Sequence, residues 1–223
     1  MSYRQTVRNT VQTGTSNFVG ITLTSAVVSL TALPLVATIP LGLAAVVGGL
    51  WTSCLLLGVA LVGLFQFAHT AADRGVGISA FPHLIGAAKR PRVGLELGVG
   101  TFVVVLGALM AGLAPDGVRA IAVGVALSVL VCWYLVVALA VPELGTGVAF
   151  GPALRAGADR FARSPTTAVW FLLLSTVCAA VAGATVVTLL LFLPGTLGLL
   201  AAHVAADVAS ADELQTTGGE AET

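Results

Sequence analysis

Of the 223 residues, 57% are hydrophobic and only 9% are charged, and the mean hydropathy is +1.03. A soluble domain is about a quarter charged, so this chain cannot cover a water-facing surface, and its first expected partner is the lipid bilayer. Ten basic and ten acidic residues cancel, which leaves no overall field to favour nucleic acid.

Residues 1–17 form a basic amphipathic segment. Tyr3, Val7 and Val11 share one helical face, and Arg4, Arg8 and Gln12 share the neighbouring one. The apolar stretch that follows, 18–68, is far longer than a signal-peptide core. It is expected to remain as an anchor and to hold two spans of about 20 residues each. Pro34 and Pro40 bracket the turn between them, because proline removes a backbone donor. Thr22, Ser25 and Ser29 make a polar stripe on the first span. Such hydroxyls either face a neighbouring helix or line a polar path.

A second amphipathic segment has Phe81, Leu84, Ile85 and Ala88 on one stripe, ahead of Lys89, Arg90 and Arg92. Spans three and four, within 93–113 and 118–141, are joined by the turn Ala114-Pro115-Asp116-Gly117. In a third amphipathic segment, Phe150, Leu154, Gly157 and Phe161 oppose Arg155, Asp159 and Arg163. Helices of this kind lie in the headgroup plane. The last apolar stretch, 167–206, predicts two spans with Pro194-Gly195 as a kink in the sixth. Five spans result instead if one long tilted helix takes most of that stretch and the rest lies at the interface. Residues 207–223 contain five acids and no Lys or Arg, a composition that predicts a disordered tail.

The expected fold is therefore an all-α polytopic bundle of six transmembrane helices (five in the alternative), with three short interfacial amphipathic helices. The membrane domain is 18–206, made of hairpin units at about 18–68, 93–141 and 167–206. Nine of the ten basic residues fall on one side of this scheme, and only Arg119 falls on the other. The positive-inside rule makes the basic side cytoplasmic and, for six spans in the cell membrane, places both termini there. The units also repeat in detail. Ala68-His69 through Asp73 matches Ala202-His203 through Asp207, and Asp73 to Arg90 is spaced like Glu143 to Arg160.

Leu33-Pro34-Leu35-Val36-Ala37-Thr38-Ile39-Pro40, followed by Leu43-Ala44-Ala45 and preceded by Asn17 at the start of the first span, resembles the YesL-like family of small membrane proteins. Phe150-x-Pro152-Ala153-Leu154-x-Ala156 and Arg163-Ser164-Pro165 are similar to the family's penultimate loop. Compared with the family pattern, the turn carries an extra Ala37, and Phe18 is the sole aromatic residue early in the first span. The resemblance implies a multi-pass protein frequently encoded beside carbohydrate ABC transporters, whose subunits become candidate partners. It carries over no catalytic residue.

Few positions could hold chemistry. Glu96 is the ionisable residue deepest in a predicted span, and Arg92 lies one turn before it, placed to pair. His69 with Asp73, and His203 with Asp207, are i, i+4 pairs at helix ends. Together they would offer two imidazoles and two carboxylates to a metal or a proton relay if spans two and six adjoin. Separately, each is a histidine placed at the negative end of a helix dipole. Cys54, Cys132 and Cys178 lack CxxC spacing and are expected to be packing residues. Ala44-x3-Gly48, Gly94-x3-Gly98 and Ala179-x3-Gly183 have the spacing that lets helices approach closely. GxxxxGK[ST], HExxH and GxSxG motifs are all missing, so no enzyme activity and no cofactor are expected. Three basic platforms on one side favour an accessory or assembly component. The alternative is a small-solute transporter or channel, suggested by the proline-broken first hairpin and the hydroxyl stripe.

Overall fold

The computed structural model describes residues 3–75, 77–183 and 185–220. It is 89% helical, with no strand among the described residues. Helix α1 (Tyr3–Ser16) meets α2 (Phe18–Leu30) at Asn17, and α3 (Leu33–Thr38) with a 3-10 turn leads into α4 (Leu43–Arg74). Then come α5 (Phe81–Lys89), the hairpin α6 (Arg92–Gly112) and α7 (Asp116–Leu139), and the short α8 (Val141–Thr146). The chain ends with α9 (Phe150–Arg163), α10 (Pro165–Ala182), α11 (Val186–Leu191) and α12 (Leu193–Glu220). Proline sets many of these starts. It occupies the first turn of α3, α5, α8 and α10, where the missing amide hydrogen would have had no intrahelical partner.

Among the described residues, five helical segments are long and apolar enough to cross a membrane: Phe18–Leu41, Leu43–Arg74, Arg92–Gly112, Asp116–Leu139 and Pro165–Ala182. The chain is thus a multi-pass helical membrane protein. Its sixth apolar segment is not the single kinked span expected, since the helix stops at Phe192 and restarts, leaving a shorter apolar stretch, Leu193–Val208, in α12. The cause is Pro194, which cannot donate to the carbonyl of Leu190. Two serines of α2 repair the break. Ser29 donates its hydroxyl to the Leu190 carbonyl at 2.6 Å, and the Gly195 amide donates to the Ser25 hydroxyl at 2.8 Å. Two members of the predicted hydroxyl stripe therefore serve a neighbouring helix, whereas Thr22 bonds back to Phe18 of its own helix.

Helix α4 is the central post, packed on α2, α3, α5, α6, α8 and α12. Its tightest contact is with α6. A Cβ on Gly58 would lie 2.0 Å from the Gly94 carbonyl oxygen, and one on Gly98 would lie 2.5 Å from that of Cys54. The Gly94-x3-Gly98 spacing thus does what small residues do between membrane helices. The other two pairs do not. Gly48 faces open space, and a Cβ on Gly183 would meet only carbonyls of its own helix. It is Gly49 that takes α3, against Pro34 and Thr38.

Two further expectations change. Helix α1 turns its hydroxyl face inward, burying Thr6, Thr10, Thr13 and Asn17, and leaves Val11 exposed and Val7 half-buried. The 207–223 segment, expected as a disordered tail, is helical through Glu220, with 221–223 outside the described residues. Ala, Glu, Leu and Gln in 209–215 are good helix formers that extend α12. The three basic amphipathic helices do form, as α1, α5 and α9, each ahead of an apolar hairpin.

Two outcomes follow from this packing. Ser25→Ala and Ser29→Ala each leave one backbone group of the α11–α12 break unpaired, and each should cost about 1 kcal/mol in detergent unfolding. Gly98→Leu, forced against the α4 backbone, should cost about 1–3 kcal/mol, while Gly48→Ala should be neutral or stabilising in the same melts.

Candidate functional site

One end of the bundle gathers α1, α5 and α9, and polar side chains hold it together. Asn17 is buried between α1 and α2. Its side-chain amide donates to the Gly75 carbonyl and its oxygen accepts from the Ile78 amide, both bonds falling within 2.9–3.0 Å. The joint of the first two helices is thereby fastened to the loop that follows α4, where Gly75 adopts φ +81° to end the helix. Helix α1 is fastened to α12 by Thr6, whose hydroxyl donates to Asp207 at 2.5 Å.

The strongest polar contact was not among the candidates. Arg160 of α9 forks onto Glu143 of α8, Nη1 lying 2.6 Å from Oε2 and Nη2 contacting Oε1, and Nη1 also donates to the Leu139 carbonyl at 2.7 Å. Both side chains keep roughly a fifth of their surface, 17% and 20%. A bidentate guanidinium–carboxylate pair at such low exposure is a strong and directional link. The spacing of Glu143 and Arg160 was visible as one half of a sequence repeat. In the other half, no ion pair joins Asp73 to Arg90, and Asp73 faces His69 at 3.6 Å.

The sequence candidates separate accordingly. Glu96 pairs with Arg92 at 3.1 Å on an exposed turn at the start of α6. His69 packs beneath Gly145 of α8 and keeps Asp73 as its partner. His203 and Asp207 do not pair, because the His203 ring bonds to its own helix at the Leu199 carbonyl and Asp207 is engaged by Thr6. Helices α4 and α12 do adjoin, through Leu64, Ala68 and Gly198. Even so, the described residues include no group of three or more His, Cys, Asp or Glu that could hold a metal ion. The remaining histidine, His83 on α5, stands edge-on to Phe67 with ring centroids 6.4 Å apart. Burial lowers its pKa from the ordinary imidazole value, and the charge of Arg74 lowers it further.

The bundle also carries concave features. An outer groove of about 670 Å³ runs along α6 and α7 and exposes Gly124, Ser128 and Cys132 on successive turns. A second, of about 650 Å³, lies beside Arg92, Val99, Gly100 and Phe150. A smaller cavity of about 250 Å³ lies within the bundle, among α4, α6, α7, α10 and α12. The remaining basic residues of the collar, Arg4, Arg8, Arg74, Lys89, Arg90, Arg155 and Arg163, are exposed. At the opposite end, Arg119 pairs with Asp116 at 2.9 Å and caps the Ala114 carbonyl in the α6–α7 turn.

These features define a class, an all-α polytopic membrane protein with a cationic helical collar at one end. No family model matches the chain, and neither does any curated protein or solved structure.

Arg160→Leu strands Glu143 at low exposure and should cost about 3 kcal/mol, the lower end for a broken buried pair. Replacing both partners, Glu143→Gln with Arg160→Gln, should recover part of that loss in thermal unfolding in detergent.

Proposed function

We propose that this protein is an accessory or assembly component of a membrane transport system, docking a partner on its α6–α7 side and its basic collar. The observation that carries the reading is how little of this hairpin is covered. Only 17% of the apolar window of α6 and 11% of that of α7 are buried, the lowest shares among the five spans. The uncovered face of α7 is a groove floored by small residues, a shape that accepts a partner's transmembrane helix at short range. The resemblance to the YesL-like family favours subunits of a carbohydrate ABC transporter as that partner. The positive-inside rule puts α1, α5 and α9 in the cytoplasm of a cell-membrane protein, where exposed Lys89, Arg90 and Arg155 would meet the partner's soluble parts.

A second reading, a small-solute transporter or channel, draws on the broken α11–α12 segment, since discontinuous helices often frame binding sites. It ranks lower because Ser25 and Ser29 already take backbone groups at that break. Proteoliposome flux that falls with Ser25→Ala or Glu96→Gln would raise it above the first.

The accessory reading expects a permease subunit of a carbohydrate ABC transporter to co-purify with the chain in mild detergent. Gly124→Leu with Ser128→Leu should abolish that recovery while leaving the chain's own melting temperature unchanged. Recovery of the chain alone under every extraction condition would count against the proposal.

A further inference from the structure

The recess within the bundle is partly open at its mouth and larger than the voids that packing leaves. Protein cores leave few voids bigger than a water molecule, and an apolar cavity of about 150 Å³ stays dry and admits benzene or xenon. Here about 250 Å³ lies among Leu61 and Phe65 of α4, Trp133 and Tyr134 of α7, Phe171 of α10 and Leu197 of α12. The walls are almost wholly hydrocarbon and aromatic ring.

The few polar atoms at the wall are already engaged. The Trp133 indole donates to the Thr101 hydroxyl at 3.2 Å, and that hydroxyl donates to the Leu97 carbonyl at 2.9 Å. The Tyr134 hydroxyl donates to Ser175 at 2.9 Å, and Ser175 donates to the Phe171 carbonyl at 2.8 Å. A buried water needs two to four polar partners, and a sugar or an ion needs more. The chemistry of the site selects a ligand whose enclosed part carries no polar group at all.

The surroundings supply one. Helices α7 and α10 do not pack along their lengths. The space between them is spanned by side chains, with the Tyr134 and Phe171 rings stacked at a centroid distance of 5.7 Å and Tyr134 bonded to Ser175. Both helices are long and apolar enough to cross a membrane, which would set them among acyl chains. We propose that the cavity binds a single hydrocarbon chain, which reaches it from the bilayer when the Tyr134 and Phe171 side chains that span the gap between α7 and α10 move aside. A phospholipid acyl chain and the isoprenoid chain of a membrane-anchored lipid share this chemistry.

The test uses the full chain reconstituted in phosphatidylcholine vesicles. One set contains a trace of phosphatidylcholine with a mid-chain diazirine, the other a diazirine-bearing isoprenyl phosphate. After illumination, peptide mass spectrometry should find adducts on Leu61 and Leu197 as well as on lipid-facing Ile121 and Val177. The arm that labels the cavity identifies the source of the chain, and labelling in both assigns the shared chemistry. Ala138→Leu and Ala201→Leu, which fill the buried wall, should remove the cavity adducts and keep those on Ile121 and Val177. Should either variant fail to fold, excess unlabelled alkane added to the wild type should suppress the cavity adducts selectively. Labelling confined to Ile121 and Val177 in both arms would overturn the proposal, as would cavity labelling that neither filling nor alkane reduces.

Discussion

In a hydrocarbon medium every backbone donor and acceptor must find a partner inside the protein, because no water is there to take its place. This chain breaks its helices often, and at four of the breaks a side chain from a different element takes the freed backbone group. Ser29 and Ser25 take the carbonyl and the amide freed around Pro194. The Leu35 amide, at the start of α3, donates to Ser53 of α4 at 3.0 Å. Asn17 serves both Gly75 and Ile78 where α4 gives way to α5. Arg160 takes the Leu139 carbonyl at the end of α7. These bonds are what permit short helices and proline-led restarts within a membrane fold, and they position α3, α8 and α11 against the long spans.

The same bonds explain how the cationic collar is built. An amphipathic helix with an apolar stripe and an arginine stripe would float in the interface by itself. Here each such helix is attached to the bundle by a third face. Helix α1 uses its threonines and Asn17, α5 sets Leu84 and Ala87 against Gly63 of α4, and α9 seats Gly157 on the backbone of α7 while Arg160 grips Glu143. The attachment holds the exposed cations in place relative to the spans. It also shows that the threefold sequence pattern is a repeat of element order, since the contacts that secure each unit differ. Glu143 meets Arg160, whereas Asp73, equally spaced from Arg90, faces His69.

Burial is uneven across the molecule, and the unevenness bears on function. Helix α4 is the most covered of the five spans, while α6 and α7 show most of their surface outward. On α10 the outward row of Val169, Leu173, Val177 and Val181 is uniformly aliphatic, as expected of a face that meets only lipid. On α7 the outward face is interrupted by Gly124, Ser128 and Cys132, which lowers its profile and makes a groove. The contrast separates a face suited to acyl chains from one suited to another helix.

Composition, hydrophobic run length and the placement of arginines determined the all-α membrane class and the order of amphipathic and apolar segments, because each depends on residues adjacent in the chain or on one helical face. Of three equally spaced small-residue pairs, only Gly94-x3-Gly98 met another helix, which the tertiary structure decided. Only the tertiary structure decided which polar groups meet. Thr6 with Asp207, Ser29 with Leu190, and Tyr134 with Ser175 join residues remote in sequence, and no local periodicity encodes such partners. The threonine face of α1, at 6, 10 and 13, turned inward in place of the adjacent valines, with Thr6 donating to Asp207 of α12 and Thr10 to the Thr6 carbonyl of its own helix. The break at Phe192 was foreshadowed by Pro194, but its survival rested on two serines more than 160 positions earlier in the chain. Three-dimensional satisfaction of backbone groups, which is a property of neighbours in space, therefore turned six apolar segments into five full spans and one mended return.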